Sequence, residues 1–280
     1  MLVSAGVQIA PSAYYDRKTR PPSARSVTDA AITAEIKRVH KENYGVYGAK
    51  KFHAELRRQG HAVARCTVAR LMKTAGLRGI SRIKSPRTTV GAPGPDDRPD
   101  LVGRSFTSSA PNQLWVADIT YLRTFAGWVY AAFVLDVFSR RILGWQVSTS
   151  LHTDLALHAP QMGIWTRRRD RADLSALVHH CDRGGQYLAV RYTQPLADEG
   201  AVASVGSRGD SYDNAMAEAL NSLFKAELIR NKGPWHRIDD LEIAVAEYID
   251  WYNHRRLHGE IGLIPPVEYE TLHAPAQQPA

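Results

Sequence analysis

Hydrophobic positions recur with helical spacing in three short segments of the first third of the chain. Residues 29–43 gather their apolar side chains near one face, residues 49–59 do so up to Gly60, and residues 64–77 form a third such segment. Gly60 stands where a glycine commonly ends a helix. Three short helices joined by tight turns and rich in Lys and Arg are typical of a helix-turn-helix unit, which we place at residues 28–80.

The pattern changes after residues 81–110, a stretch rich in proline, glycine and serine that we interpret as a linker. Strands are predicted at residues 113–123, 127–137, 140–150, 176–180 and 201–207, and helices at residues 153–169, 187–200 and 211–228. Three successive strands followed by alternating helices and strands indicate an α/β layer fold. We assign this core to residues 111–235, an irregular segment to residues 1–27, and a C-terminal helix and tail to residues 236–280.

Charge is distributed unevenly along the 280 residues. Residues 1–104 carry 20 Lys and Arg against 8 Asp and Glu, whereas residues 105–280 carry 16 against 20. The basic N-terminal part therefore suggests contact with a polyanion, and a merely solvated basic surface is the alternative.

The composition disfavours several classes of protein. No stretch approaches the roughly 20 apolar residues of a membrane span. The first residues lack the basic and apolar regions of a secretory signal. The two cysteines, Cys66 and Cys181, form no C-x-x-C pair, which favours reduced thiols in a cytosol over a disulfide framework.

Three carboxylates stand where the predicted fold could bring them together. Asp118 lies inside the first strand between apolar neighbours, a costly position unless a metal ion or hydrogen bonds compensate the charge. Asp182 follows the fourth strand, at the carboxyl edge where α/β sheets often place their sites. Glu218 lies on the last helix of the core, with 35 residues between it and Asp182. Asn221 and Lys225 share its helical face.

Other polar residues near these acids have simpler explanations. Asp136 follows the second strand, and we favour a cap on the next turn over a fourth catalytic acid. Asp213 or Asn214 can cap the helix that carries Glu218. Lys225 is either a solvated helix residue or a phosphate contact.

Tryptophan and histidine positions also have two interpretations each. Trp115, Trp128 and Trp145 alternate with apolar residues in strands, which favours core positions over base-stacking platforms. His254 and His258 have the i, i+4 spacing of metal ligands. Because no cysteine pair accompanies them, we interpret the segment NHRRLH as a basic patch that faces DNA.

The segments LWVADITYL, HHCDRGGQY and GDSYDNAMAEALNSLFKAEL closely resemble the catalytic core of the insertion-sequence family three transposases. Those enzymes belong to the retroviral-integrase superfamily, which is named for an Asp, Asp, Glu triad. In that triad 35 residues separate the second Asp from the Glu, as they separate Asp182 from Glu218 in this chain. Residues 43–79 are similar to the family's helix-turn-helix segment, and WYNHRRLHGEIGLIPPVEY is similar to its closing motif. The resemblance covers residues 25–270, nearly the whole chain.

The resemblance implies a ribonuclease-H-like integrase core, with a mixed five-stranded sheet and helices on both faces, preceded by a small all-α helix-turn-helix domain. It implies that Asp118, Asp182 and Glu218 are catalytic and bind two Mg²⁺ ions, for which Mn²⁺ can substitute. The implied reaction is DNA cleavage at the ends of an insertion sequence and transfer of the cut strand into a target. Such a reaction is transposition by DNA integration and recombination.

Candidate DNA contacts follow from the resemblance and from charge. They are Lys225, Asn221, Arg183, Arg65, Arg70, Lys73, Arg255 and Arg256. The expected partners are double-stranded DNA, both element ends and target, a helix-turn-helix product of an upstream reading frame, and further copies of the chain on DNA. We expect no membrane contact and a place in the bacterial cytoplasm, at the nucleoid.

Two positions depart from the family pattern. Cys181 and Gly185 each stand where the family usually has serine, and neither is expected to bind metal. Two competing functions are a hydrolytic nuclease of the same fold, which cleaves without joining, and a non-catalytic DNA-binding regulator from a decayed element. The intact triad argues against the regulator.

Overall fold

The computed structural model of the chain contains two compact units, Met1–Gly79 and Ile80–Ala280. The structure describes residues 10–81, 100–103, 105–151, 153–182, 190–205 and 214–273. Within these ranges, no helix combines the length and the apolar character needed to cross a membrane.

The first unit contains the three predicted short helices and one more. They are α1 (Pro11–Thr19), α2 (Ala24–Glu42), α3 (Ala49–Arg58) and α4 (Arg65–Thr74). The last three share a small apolar core, in which Ile36, Phe52, Leu56 and Val68 are fully buried. The apolar face of each helix therefore packs as its periodicity predicts.

Glycines end α3 and α4 in the manner expected from the sequence. Gly60 has φ +86° and donates to the carbonyl of Arg57, while His61 N–H donates to Leu56. Gly76, with φ +69°, repeats the arrangement after α4. A left-handed residue suits glycine because it has no Cβ, and these bonds satisfy the last carbonyls of each helix.

The prediction of an irregular N-terminal segment was wrong for the part that the structure describes. Helix α1 begins with Pro11, whose missing N–H costs nothing in a first turn. Helix α2 begins at Ala24 because the Ser23 hydroxyl accepts a hydrogen bond from Ser26 N–H, 3.2 Å away. The apolar periodicity is weak over both starts, so only the capping residues indicate them.

The second unit is built on a five-stranded mixed sheet, which confirms the predicted α/β core. Its strands are β1 (Leu114–Thr124), β2 (Gly127–Asp136), β3 (Ile142–Ser148), β4 (Val178–Cys181) and β5 (Val202–Val205). Their order is β3-β2-β1-β4-β5. The first three strands pair antiparallel, whereas β4 pairs parallel with both β1 and β5.

One face of the sheet is covered by α5 (Thr153–Arg169) and α6 (Val190–Asp198). The core on this face includes Trp115, Ala132 and Leu155. Gly144 of β3 lies directly under α5, and a Cβ there would collide with the carbonyl of Ala159. The absence of a side chain at Gly144 therefore sets how closely α5 approaches the sheet.

Helices also cover the opposite face. They are α7 (Ala215–Phe224), a π-helical turn (Lys225–Ile229), α8 (Arg230–Lys232), α9 (Ile238–His254) and α10 (Pro266–His273). Phe224 packs edge-on against Phe133 of β2, with ring centroids 4.9 Å apart, and also against Tyr248 of α9. Asn253 of α9 bonds both backbone groups of Ile142, which ties the helix to edge strand β3.

A buried ion cluster, here called the Arg167 cluster, joins the end of β2 to α5 and α10. It consists of Asp136, Arg141, Arg167 and Glu270. Arg167 donates to Glu270 at 2.6 and 2.9 Å and to Asp136 at 3.0 Å. The second oxygen of Asp136 accepts from Phe138 N–H, so the predicted turn cap is confirmed. The ion pair with Arg167 gives Asp136 a further structural role that the sequence did not indicate.

The three strand tryptophans differ in burial. Trp115 is fully buried, as predicted, and Trp145 is half-buried. Trp128 is 55% exposed, so its predicted core position is wrong. The reason is that Trp128 lies at the hairpin end of β2, beyond the part of the sheet that helices cover.

Candidate active site

Asp118 and Asp182 lie side by side on neighbouring strands. Strands β1 and β4 run parallel, and their last pair is Ala117 with Cys181. Asp118 follows Ala117 within β1, and Asp182 follows Cys181 directly after the end of β4. Because neighbouring strands are about 5 Å apart and paired residues point to the same face, the two carboxylates share one place at the sheet edge.

Helix α7 is fastened over this place by two asparagine side chains. Asn221 donates to the Asp118 carboxylate, with Nδ2 and Oδ2 2.8 Å apart. Asn214 donates to the backbone carbonyl of Ala117 at 2.9 Å. Asn214 occupies the N-cap position of α7 but its side chain makes no capping bond there, and the alternative cap, Asp213, lies outside the described residues.

Glu218 lies one turn before Asn221 on α7, on the same helical face. Its side chain is exposed, whereas Asp118 and Asp182 are half-buried. Its charge reaches Asp118, because it raises the pKa of that carboxyl. Within the described ranges, no group of three His, Cys, Asp or Glu side chains is gathered closely enough to hold a metal ion as it stands. The structure thus forms a close aspartate pair with Glu218 beside it.

Electrostatics set Asp118 apart from an ordinary carboxylate. Burial first, and then the charge of Asp182, raise its pKa to about 8 from the usual 3.8, and Glu218 adds to the rise. Hydrogen bonds from Ile119 N–H, at 2.8 Å, and from Asn221 oppose the shift. Concentrated negative charge that neighbouring dipoles do not offset is what a cation would neutralise.

Lys225 lies close enough to Asp118 to respond to its charge. Burial of the half-buried amine lowers the pKa of Lys225, and Asp118 partly restores it. Lys225 also begins the π-helical turn, a distortion that often marks a functional position in a helix. Asn221 and Lys225 therefore both gather at the acids, as their shared face predicts.

Arg256 does not face solvent, which corrects its prediction as a DNA contact. Its side chain is buried and donates to both oxygens of Glu227, at 2.6 and 2.8 Å. His258 is also buried, with Nδ1 3.1 Å from the Arg256 guanidinium. Arg255 is exposed and pairs with Asp250 at 3.2 Å. The segment NHRRLH is therefore mainly a packing element, because its central charge is neutralised inside the protein.

The predicted DNA contacts of the first unit are exposed on α4. Arg65 and Lys73 are solvent-accessible, as a phosphate contact requires. Arg70 is exposed as well, and its guanidinium donates to both oxygens of Asp29, at 2.8 and 2.9 Å. Arg183 lies outside the described residues, as does Gly185.

Sequence reasoning missed two residues that the structure brings to the site. Asn214 anchors α7 to β1, although its position suggested only a cap. Tyr121 lies near the acids, because Asp182 and Asp118 contribute, after burial and Tyr130, to raising its pKa. The sequence contained no signal for this, because residues three apart on a strand point to opposite faces.

Three family models match the chain. A model described as an HTH-like domain matches residues 27–85, and two models described as integrase core domains match residues 108–211 and 199–266. Together they cover both compact units.

Curated relatives align along almost the whole chain. A protein named as a transposase for insertion sequence element IS986/IS6110 of Mycobacterium tuberculosis is 50% identical over 274 residues, which cover 97% of this chain and 99% of the relative. The transposase for IS629 of Shigella sonnei is 46% identical and covers 95% and 90%. Transposase InsF for IS3A of Escherichia coli K12 is 34% identical and covers 95% and 91%.

Among solved structures, the simian T-cell lymphotropic virus intasome in complex with PP2A regulatory subunit B56 gamma is similar, with a TM-score of 0.50. The identity is 14%, and the match covers 87% of this chain and 76% of that chain. At this identity the likeness concerns the fold alone.

Proposed function

Because this chain belongs to the insertion-sequence family three transposases, we propose that it cuts DNA at the ends of its element and joins the freed 3′-hydroxyl to a target strand. Asp118, Asp182 and Glu218 are the residues that act on the phosphodiester. The observation that carries this assignment is the adjacency of Asp118 and Asp182, with α7 held above them by Asn221.

The side chains present fit divalent cations. Carboxylate and amide oxygens are hard ligands of the kind that Mg²⁺ prefers, and Mg²⁺ usually takes few carboxylates and keeps its waters. The buried Oδ1 atoms of Asn214 and Asn221 have no hydrogen-bond partner among the described residues. Both amides flank the aspartate pair and are suited to water held by an ion. We assign Asp118, Asp182 and Glu218 as ligands of two Mg²⁺ ions, with Mn²⁺ as a substitute.

Two such ions, when bound, activate the attacking oxygen and stabilise the leaving oxygen of an in-line phosphoryl transfer. The chain's own residues prepare the place for this reaction. Asn221 fixes the rotamer of Asp118, and Asn214 fixes the distance of α7 from β1. Glu218, exposed on α7 beside the pair, would complete the ligand set. Lys225 neutralises phosphate at the same edge.

The first unit supplies further contacts with double-stranded DNA. Arg65 and Lys73 on α4 contact phosphates, and Arg70 exchanges Asp29 for a phosphate because its ion pair is exposed and therefore weak. Recognition of the element ends involves a helix-turn-helix product of an upstream reading frame and several copies of the chain on DNA.

A strand-transfer assay tests the proposal. The full chain is given Mg²⁺, a target plasmid and duplex element ends that are already cut to expose the 3′-hydroxyl. We expect joined products from the wild type and none from Asp182→Asn. Asp239→Asn, which removes an exposed acid from the start of α9, is the matched control and should join ends normally.

Two results would contradict the proposal. Hydrolysis of the supplied DNA without any joined product identifies a hydrolytic nuclease instead. If Asp182→Asn joins DNA ends as fast as the wild type, Asp182 is not catalytic.

A further inference from the structure

The end of the β1–β2 hairpin exposes two large aromatic side chains. Phe125 is 71% exposed and Trp128 is 55% exposed. Strand β4 pairs with β1 only as far as Ala117, and β3 pairs with β2 only as far as Tyr130, so beyond the Tyr121–Tyr130 pair β1 and β2 continue as a two-stranded ribbon. Two large aromatic side chains exposed at one hairpin end make this end a candidate binding surface.

A nitrogen-bearing side chain lies beside each ring. The Arg123 guanidinium lies 5.6 Å from the centroid of the Trp128 ring, and the two residues are paired across the strands. The His236 imidazole is stacked on Phe125, with centroids 4.9 Å apart and planes 22° apart. The loop that carries His236 is tied to the hairpin, since Phe125 N–H donates to the Trp235 carbonyl at 3.0 Å. The rings are thus held in place, and each retains an exposed surface.

The ribbon leads away from the proposed catalytic acids. Asp118 and Arg123 are five residues apart on one strand, which corresponds to about 17 Å. Tyr121 and Tyr130 lie between them as a T-shaped pair with centroids 5.2 Å apart. Residues 119–135 contain one arginine and no acid. Aromatic and basic side chains therefore follow β1 and β2 from the Tyr121–Tyr130 pair to the hairpin end, on the strand face opposite Asp118.

We propose that the hairpin end, here called the Trp128 platform and made of Arg123, Phe125, Trp128 and His236, stacks unpaired bases of a DNA strand that passes the catalytic acids. The inference rests on the proposed function, because it takes DNA to be the substrate. Exposed rings stack on bases whose faces are free, which is the case in single strands and frayed ends but not inside a duplex. Arg123 adds a contact for the backbone of the same strand.

Binding measurements on the full chain test the platform without catalysis. The probes are two fluorescent element-end duplexes in EDTA, one blunt and one with a short unpaired tail. We expect Trp128→Ala to weaken binding of the tailed duplex by at least about fivefold, the loss of one stacked base, and to leave the blunt duplex unchanged. Trp128→Phe keeps a ring and should retain most of the tailed affinity.

Trp165 offers a matched control. It is 60% exposed on α5 and also lies against an arginine, with Arg169 5.0 Å from its ring, but it is not on the ribbon. Trp165→Ala should leave both affinities unchanged. Equal loss for the two variants, or no loss for Trp128→Ala, overturns the platform. Altered self-association of Trp128→Ala in sedimentation, with tail binding intact, shows a protein interface instead.

The proposed function and the Trp128 platform can be refuted separately. A wild-type chain that joins no DNA ends refutes the proposed function. A wild-type chain that joins ends, while Trp128→Ala binds the tail as tightly as wild type, refutes only the platform.

Discussion

Two groups of acids flank the same sheet, and they differ in what neutralises them. In the Arg167 cluster, Asp136 and Glu270 are buried, and Arg167 and Arg141 pair with them. The Asp118–Asp182 pair instead has amide donors and Lys225 nearby. A buried carboxylate needs compensation in either case. Acids matched by arginine hold the fold together, and acids left with excess negative charge suit a cation.

The pKa values of Glu270 and Asp118 move in opposite directions, whereas Asp136 of the Arg167 cluster keeps a raised pKa because its burial outweighs the charge of Arg167. Burial pushes the pKa of Glu270 up, but hydrogen bonds and charge from Arg167 hold it below its ordinary value. Burial and Asp182 together raise the pKa of Asp118 to about 8. The pKa of Glu270 falls because hydrogen bonds and charge from Arg167 outweigh its burial, whereas no arginine offsets the burial of Asp118.

The largest contrast should come from neutralising one acid in each group. Asp118→Asn should reduce strand transfer by about 10³-fold or more, as removal of a charge-stabilising group does at other active sites. The fold should remain intact, because an amide removes repulsion from Asp182. Asp136→Asn should lower the melting temperature and leave the joining rate of folded protein unchanged. Single-turnover joining and thermal melting measure the two effects, and a folded Asp118→Asn with full activity would separate Asp118 from catalysis.

Removing the arginine at the centre of the Arg167 cluster should lower the stability of the protein. Arg167→Met leaves Asp136 and Glu270 buried without their main partner, and we expect a loss of about 3–5 kcal/mol in the free energy of unfolding. Arg237→Met is the control, because Arg237 and its partner Asp239 are exposed, and such pairs contribute about 0–1 kcal/mol. Urea denaturation measures both. Equal effects would mean that the Arg167 cluster does not stabilise the fold.

A change of pH should alter the contribution of Asp118 to the stability of the metal-free protein. The pKa of Asp118 is raised in the folded state, so its contribution to stability is fully present below pH 4 and is lost as the pH rises toward about 8. The slope from this one proton is at most about 1.4 kcal/mol per pH unit. Unfolding in EDTA across this range should show a decline that Asp118→Asn flattens. Identical profiles for the two proteins would contradict the raised pKa.

The smallest effect should distinguish two adjacent arginines. Arg256 is buried against Glu227, whereas Arg255 is exposed beside Asp250. Arg255→Ala should change the free energy of unfolding by no more than about 0.5 kcal/mol, as surface substitutions usually do. Arg256→Ala leaves the Glu227 carboxylate buried without its arginine partner, so this variant should be clearly less stable. Comparable unfolding midpoints for the two variants would undo the assignment of Arg256 as a structural residue.

Local patterns in the sequence predicted most of the core. Apolar runs located β1, β2 and β3, which are buried along most of their length, and helical spacing located α3 and α4, which bury one face each. Helix α1 and the start of α2 were missed, since they depend on Pro11 and Ser23 rather than on an apolar face. The π-helical turn after α7 was also missed, because no apolar period distinguishes it from an α-helix.

The candidate site was predicted in part for a similar reason. Asp118 stood out as a charge inside an apolar strand, and its register with Asp182 follows from parallel pairing. Long-range partners left no local signal. Glu227 lies 29 residues from Arg256, so nothing near either residue indicates that the arginine is buried. Trp128 looked like a core residue because alternation does not show where the covering helices stop.

The central claim is that Asp118, Asp182 and Glu218 together bind divalent cations. Anomalous diffraction from a crystal of the full chain with Mn²⁺ tests it most directly. The account predicts anomalous peaks between Asp118 and Asp182, with Glu218 turned toward them, and no such peaks in an Asp182→Asn crystal. Ordered carboxylates without a peak between them, at Mn²⁺ concentrations that support strand transfer, would contradict it.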